Sequence, residues 1–257
     1  MSTMKNLLAA MSILVTGCGL ASQASAVSTD VELLNKAWPH AGPFGKFDRT
    51  AAQRGFQVYR EVCSGCHSLN FIAFRNLEDL GFSPDEVKAL AAQYEITDGP
   101  DDAGDMFERP GKPSDYLPAP FPNDNAARAS NGGALPPDLS LITKARAHGT
   151  DYVYSLMLGF EEPPVGFELG EGMNYNVYFP GHQIAMFPPL SEGLVEYDDG
   201  TEATVQQMAS DVATFLTWAA EPTLEQRKGM GLKVMIFLVV LSGLLYATKR
   251  KVWADVH

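Results

Sequence analysis

The residues in this chain that could do chemistry are Cys63-Ser64-Gly65-Cys66-His67. Two thiols three positions apart lie about one helical turn from each other. From there they can reach two vinyl groups on one edge of a porphyrin and form thioethers. The adjacent imidazole then lies beneath the ring as a nitrogen ligand to iron. Cys-x-x-Cys-His is the attachment pattern for c-type haem. Two other chemistries use paired cysteines. A redox dithiol of the thioredoxin kind sits in a βαβ context, and the chain shows no alternating strand series. A zinc site wants four ligands, and the chain has three cysteines in all. One of these, Cys18, lies in a segment that reads as a removable leader. Both remaining cysteines are then committed to one covalent haem c, no structural disulfide is left, and haem contacts must supply much of the core.

Iron held by one histidine needs a sixth ligand, and in electron-transfer c-type cytochromes a methionine there raises the potential. Beyond the leader, the candidates are Met106, Met157, Met173, Met186, Met208, Met230 and Met235. The last two fall in a segment that reads as membrane. Met157 and Met208 lie on helices and read as core. Met106 is in an acidic loop and Met173 in a polar one. Met186 stands in Ile184-Ala185-Met186-Phe187-Pro188-Pro189, an apolar loop stiffened by proline. Such a loop can hold a weak thioether ligand against water. His182 is the rival, and would give bis-histidine ligation and a lower potential. The expected metal ligands are His67 and Met186.

The ends of the chain place this site. Residues 1–26 read as a secretory signal, with Lys5 as the positive start, an apolar stretch from Leu7 to Val15, and the small-residue cut Ala24-Ser25-Ala26. A rival cut at Val15-Thr16-Gly17-Cys18 would leave Cys18 lipidated. Near the other end, residues 230–248 are almost uncharged and cover about 28 Å as a helix, close to the hydrocarbon thickness of a bilayer. Lys233 can snorkel, and Tyr246 and Trp253 suit the interface. Charge alone leaves the orientation open, and the leader settles it by exporting the chain behind it. The expected organisation is an exported domain over 27–222, a linker over 223–229, the anchor over 230–248 and a cytoplasmic tail over 249–257. The haem domain would then lie in the periplasm, on a bacterial inner membrane. The formal net charge of −12 repels phosphate, so nucleic acid is not an expected partner, and basic proteins are.

Helix signals surround the motif. Thr50-Ala51-Ala52-Gln53 reads as a capping box opening a helix that runs to about Cys63. Ser83-Pro84-Asp85-Glu86 starts a second, reaching about Tyr94. Thr150 caps a third, which Gly159 stops. Thr204 to Gln207 is another capping box, with an apolar face of Val205, Met208, Val212, Phe215, Leu216 and Ala219 behind it and Glu221-Pro222 as the stop. The stretches from Thr97 to Leu135 and from Glu161 to Tyr197 show no period of either kind. The expected fold class is all-α: a c-type cytochrome domain with long loops wrapped round a covalent haem, plus one C-terminal transmembrane helix.

Several segments together resemble the cytochrome c1 family. They are Val62-Cys63-Ser64-Gly65-Cys66-His67-Ser68-Leu69, Asn131-Gly132-Gly133-Ala134-Leu135-Pro136-Pro137-Asp138-Leu139-Ser140, Ile184 to Pro189, Asp199 to Thr204, and Asp211 to Pro222 with the anchor behind it. The resemblance implies the haem-bearing subunit of the cytochrome bc1 (ubiquinol–cytochrome-c oxidoreductase) complex. Such a subunit does no substrate chemistry of its own. It takes an electron from the Rieske iron–sulfur protein and passes it to a basic or membrane-anchored cytochrome c. Cytochrome b, membrane lipid and a dimeric complex are the other implied partners. Cys63 and Cys66 become the thioether sites, and His67 and Met186 the axial ligands. Arg146 matches a family arginine near a haem propionate, and Pro136-Pro137 looks like the family's haem-packing loop. Two acidic runs, Asp98 to Asp105 and Glu196 to Glu202, read either as a solvated surface or as a steering field for a basic cytochrome c. An anchored cytochrome donating directly to an oxidase, and a haem sensor with an open sixth site, are the alternatives.

Overall fold

The computed structural model describes residues 31–254. The leader 1–26, its cleavage site, Cys18 and the last three residues of the tail lie outside the described residues.

The first helix, α1, spans Arg49–Val58. Its cap is Asp48 rather than Thr50: the Asp48 carboxylate accepts from the Ala51 N–H at 3.1 Å. Aspartate is as good a cap as threonine, and it stands two residues earlier, so Thr50 is taken into the helix. After Val58 the coil widens into a π turn, Tyr59–Cys63, closed by Ser64 N donating to the Tyr59 carbonyl at 2.8 Å. One extra residue in a turn re-aims the chain beyond it, and here that chain is the Cys-x-x-Cys-His loop. A 3-10 turn over Phe74–Leu80 leads to α2, Pro84–Ala91. Ser83 caps α2 as expected, and the Glu86 carboxylate returns to the Ser83 N–H at 2.7 Å. The helix stops short of Tyr94, whose ring packs on Phe74 and whose carbonyl accepts from Gly111 N.

The stretch from Thr97 to Leu135, irregular by sequence, holds most of a hairpin and a helix. Strands β1 (Glu95–Asp98) and β2 (Phe107–Pro110) pair antiparallel with Ile96 opposite Arg109, and α3 spans Asp124–Ser130 under an Asn123 cap. The strands are only four residues long and show little apolar alternation. Arg109 fixes the hairpin base by binding Asp98 and Asp115, which no hydrophobic period would reveal. Helix α4 spans Gly149–Leu158. Thr150 does not cap it; its hydroxyl meets that of Thr217 at 2.9 Å. Gly159 stands at its end as expected. Between Glu161 and Tyr197 lies a small hairpin, β3 (Asn174–Tyr175) against β4 (Gln183–Ile184), with Asn174 opposite Ile184.

Helix α5, Val205–Ala220, is the spine of the core. Thr204 caps it, accepting from Gln207 N at 3.1 Å, but Gln207 does not close the box. Its amide donates instead to Asp211. Most of the expected face is buried, and so are Ala209, Ser210, Asp211 and Thr214 on other sides. Helices α1 and α5 meet at backbone distance: a Cβ on Gly55 would stand 2.0 Å from the Asp211 carbonyl oxygen. Beside the contact, Phe56, Tyr59, Phe215 and Trp218 form an aromatic cluster. Asp211 is fully buried and binds Arg54 through both carboxylate oxygens, at 2.8 and 3.1 Å. Among the described residues the fold is mostly helical, as an all-α reading expects, with two small two-stranded sheets that the reading did not include.

Helix α6 runs unbroken from Leu224 to Val252 and is long and apolar enough to cross a membrane. Its first turn is bound to the start of the domain. Glu225 accepts from Phe47 N at 2.8 Å and from Arg49 at 2.9 Å, and Lys228 donates to the His40 carbonyl at 2.6 Å.

Gly55→Ala should lower the stability of the full-length protein by about 3 kcal/mol, because the two helices must separate to admit the methyl group. The thermal unfolding midpoint of the purified protein checks it, with exposed Gly65→Ala as the comparison.

Candidate functional site

The π turn delivers Cys63 to the end of α1, and a tight turn carries the motif onward. Cys66 N and His67 N both donate to the Cys63 carbonyl, at 3.1 and 2.9 Å, and the Tyr59 hydroxyl donates to the His67 carbonyl at 3.1 Å. The two cysteines are unpaired and half-buried. Burial, with Cys66 alongside, pushes the Cys63 thiol up to about 12. A redox nucleophile needs the opposite shift, so Cys63 is poorly suited to start dithiol exchange.

His67 is turned by the Pro136-Pro137 segment. Its Nδ1 lies 2.8 Å from the Pro137 carbonyl oxygen. A carbonyl can only accept, so Nδ1 carries the proton and Nε2 is left with its lone pair. Burial also lowers the imidazole's affinity for a second proton, against the pull of Pro137 and Asp138. A neutral imidazole with one nitrogen hydrogen-bonded and the other free is the form a metal ligand takes.

Asp138 locks this arrangement. Its carboxylate accepts from the Ser68 hydroxyl at 2.8 Å and Asn70 N at 2.9 Å on one side of the motif, and from Ser140 N at 2.8 Å on its own. Leu139 N donates to the Ser68 carbonyl at 2.9 Å. The segment that holds His67 is therefore stitched to Ser68 and Asn70, just beyond the motif.

Met186 sits half-buried just beyond β4, in the loop that Pro188 and Pro189 stiffen. Its carbonyl accepts from the Asn174 side chain at 3.2 Å. A cavity of about 580 Å³ adjoins the loop, with Met157, Met173, Asn174, Tyr175, Pro188 and Leu190 in its wall. His182 is in the β3–β4 hairpin, with Nδ1 at 3.3 Å from the Asn176 carbonyl and its ring against Tyr175. Arg146 is exposed; its guanidinium lies over the Tyr152 ring at 5.9 Å and donates to the Ala145 carbonyl. Met208 is fully buried in the core and Met106 is exposed.

The profile of the Cytochrome C1 family matches residues 38–256. The chain belongs to the cytochrome c1 family. It is 49% identical to cytochrome c1 of Rhodospirillum rubrum, with 95% of this chain and 94% of that protein covered. It is 53% identical to the mitochondrial haem protein cytochrome c1 of Schizosaccharomyces pombe, covering 85% of this chain and 71% of that one. It is 56% identical to cytochrome b/c1 of Bradyrhizobium diazoefficiens over 86% of this chain, which spans only 35% of that longer protein.

Cytochromes c1 carry a covalently bound haem c, and the residues present fit that group. The donor set is two thiols a turn apart and an imidazole whose Nε2 is free. Val62 and Cys63 are packed on the core with part of their surface still uncovered, and Met157, Leu158 and Leu190 line the cavity beside the Met186 loop. The motif is readable from sequence; the Pro136-Pro137 segment is tied to it there only through the family resemblance, and the specific contacts of Pro137 and Asp138 are not. The two residues are about seventy positions away, and only the Pro-Pro-Asp cluster marks them. Tyr152 and Asn174 carry no signal.

Burial opposes ionisation of Asp138, but the hydrogen bonds from Ser140, Asn70 and Ser68 outweigh it and hold the carboxyl below the usual range. A depressed value stabilises the fold above the unfolded carboxylate value of about 4 and loses that stabilisation as pH falls below it. Asp138→Asn should cost about 1 kcal/mol at neutral pH, after allowance for solvent screening. The difference from the parent protein should shrink in thermal melts below about pH 4.

Proposed function

We propose that this chain passes electrons from the Rieske iron–sulfur protein to a cytochrome c, as the haem-bearing subunit of a cytochrome bc1 complex. The observation that carries the reading is the His67 Nδ1 bond to the Pro137 carbonyl, which prepares Nε2 for iron directly beside two thiols. When bound, the haem supplies a one-electron redox centre.

The chain's own residues have distinct tasks in this reading. Cys63 and Cys66 hold the group covalently. His67 and Met186 are the axial ligands, and the thioether favours the reduced state and a high potential. Arg146, fixed over Tyr152, offers a cation to a propionate. Residues 27–222 form the exported domain, 230–248 cross the inner membrane, and 249–257 are cytoplasmic. Cytochrome b and the Rieske protein are the partners within the complex, and the family relatives support a place in that assembly.

The acidic runs supply the approach of an acceptor. Two of their carboxylates are already paired within the chain, Asp98 with Arg109 and Asp199 with Arg54. Among the described residues, Asp101, Asp102, Asp105, Glu196, Asp198 and Glu202 form no salt bridge and are exposed. An exposed field of one sign accelerates encounter with an oppositely charged partner and is screened by salt.

Met186→Leu should abolish the methionine charge-transfer band of the ferric protein and lower its midpoint potential by on the order of 100 mV or more. An unchanged spectrum and potential would exclude Met186 as ligand and reopen the sensor reading.

Stopped-flow oxidation by a basic cytochrome c should slow roughly tenfold between low and high ionic strength. Neutralising Glu196 and Asp198 together should flatten that dependence, and a rate indifferent to salt would remove the steering role.

A further inference from the structure

Met186 is held by geometry more than by bond strength. A thioether is a weak, neutral ligand, and its residence on iron depends on the segment that presents it. That segment is irregular backbone beyond β4. Asn174 grips it at two points. Its backbone stands opposite Ile184 in the β3–β4 pairing, and its side-chain amide donates to the Met186 carbonyl at 3.2 Å. One residue thus spans the short run from the end of the strand to the ligand itself.

The surroundings of the loop make that grip consequential. Ala185 and Phe187, the neighbours of Met186 on either side, are both exposed, and so is Pro188. Contacts from the protein itself therefore hold these neighbours weakly, and among the described residues the Asn174 amide is the side-chain donor that reaches the Met186 backbone.

We propose that Asn174 is a positioning residue that latches the sixth-ligand loop, and that it sets how readily a small external ligand displaces Met186. The inference rests on the reading of Met186 as the axial ligand. An external ligand binds only when the loop is open, so its apparent affinity follows the open fraction. Losing one net hydrogen bond raises that fraction roughly three- to tenfold. The latch is a feature of the side chain at 174 and needs no change in the ligands or the haem attachment.

The test is an imidazole titration of the full-length, haem-loaded, membrane-anchored ferric protein, monitored by its absorption spectrum. Asn174→Asp keeps the shape and removes the donor; Asn174→Leu removes the polarity as well. Both should bind imidazole roughly three- to tenfold more tightly than the parent, with the thermal unfolding midpoint of the domain unchanged. Asn174→Gln, which retains a donor on a longer arm, should lie between. Parental imidazole affinity in either folded variant would overturn the proposal. So would failure of both variants to take up haem, because that would make Asn174 a folding residue rather than a latch. Met186→Leu separates the two layers: if that variant keeps the parental spectrum, the ligand reading fails and the latch with it, whereas a changed Met186→Leu spectrum beside parental imidazole affinity in the Asn174 variants overturns the latch alone.

Discussion

The contact on which the structure depends is the crossing of α1 and α5 at Gly55. There the helices touch backbone to backbone, so closely that a Cβ added to Gly55 would stand 2.0 Å from the Asp211 carbonyl oxygen. Only glycine allows that approach, and the approach decides where the end of α1 points. The adjacent Arg54–Asp211 pair fixes the crossing in register. A buried pair of this kind adds little net stability compared with apolar packing, but breaking it strands a charge and costs about 3–5 kcal/mol. It selects one way of packing two helices that the aromatic cluster of Phe56, Tyr59, Phe215 and Trp218 would otherwise permit to slide. Because α1 ends in the π turn and then the haem motif, the crossing is also the foundation of the site.

How much of the fold is legible in the sequence depends on the range of the forces involved. Ser83 and Thr204 are readable as caps because a cap is a contact over three residues. The apolar face of α5 is readable because burial leaves a period. The cap on α1 moves from Thr50 to Asp48 by competition between two good neighbours, which propensity cannot rank. The β1–β2 hairpin escapes a reading by hydrophobic period because Arg109, with Asp98 and Asp115, organises it through charge on exposed strands. The π turn at Tyr59–Cys63 has no sequence signature at all; it is set by where the haem loop must reach.

The site divides in the same way. Its two thiols and imidazole lie within five consecutive residues and are found in the sequence directly. The setting of His67 depends on Pro137 and Asp138, brought from a distant segment, and that of the Met186 loop on Asn174. Those contacts exist only once the loops are folded against each other. Composition picks out Ile184 to Pro189 as an apolar loop and Glu196 to Glu202 as an acidic run. That Asn174 reaches the Met186 loop shows only in the backbone pairing and the side-chain hydrogen bond.

The hydrogen bonds that Glu225 accepts from Phe47 and Arg49, and that Lys228 donates to the His40 carbonyl, tie the start of α6 to the segment leading into α1. The helix therefore has no swivel at its base: domain and anchor share one screw axis. Each residue added to or removed from that helix would turn the domain by about 100° and shift it by about 1.5 Å relative to the bilayer. The length of α6 thus acts as a gear, setting the direction in which the haem edge faces its neighbours as well as its height above the membrane.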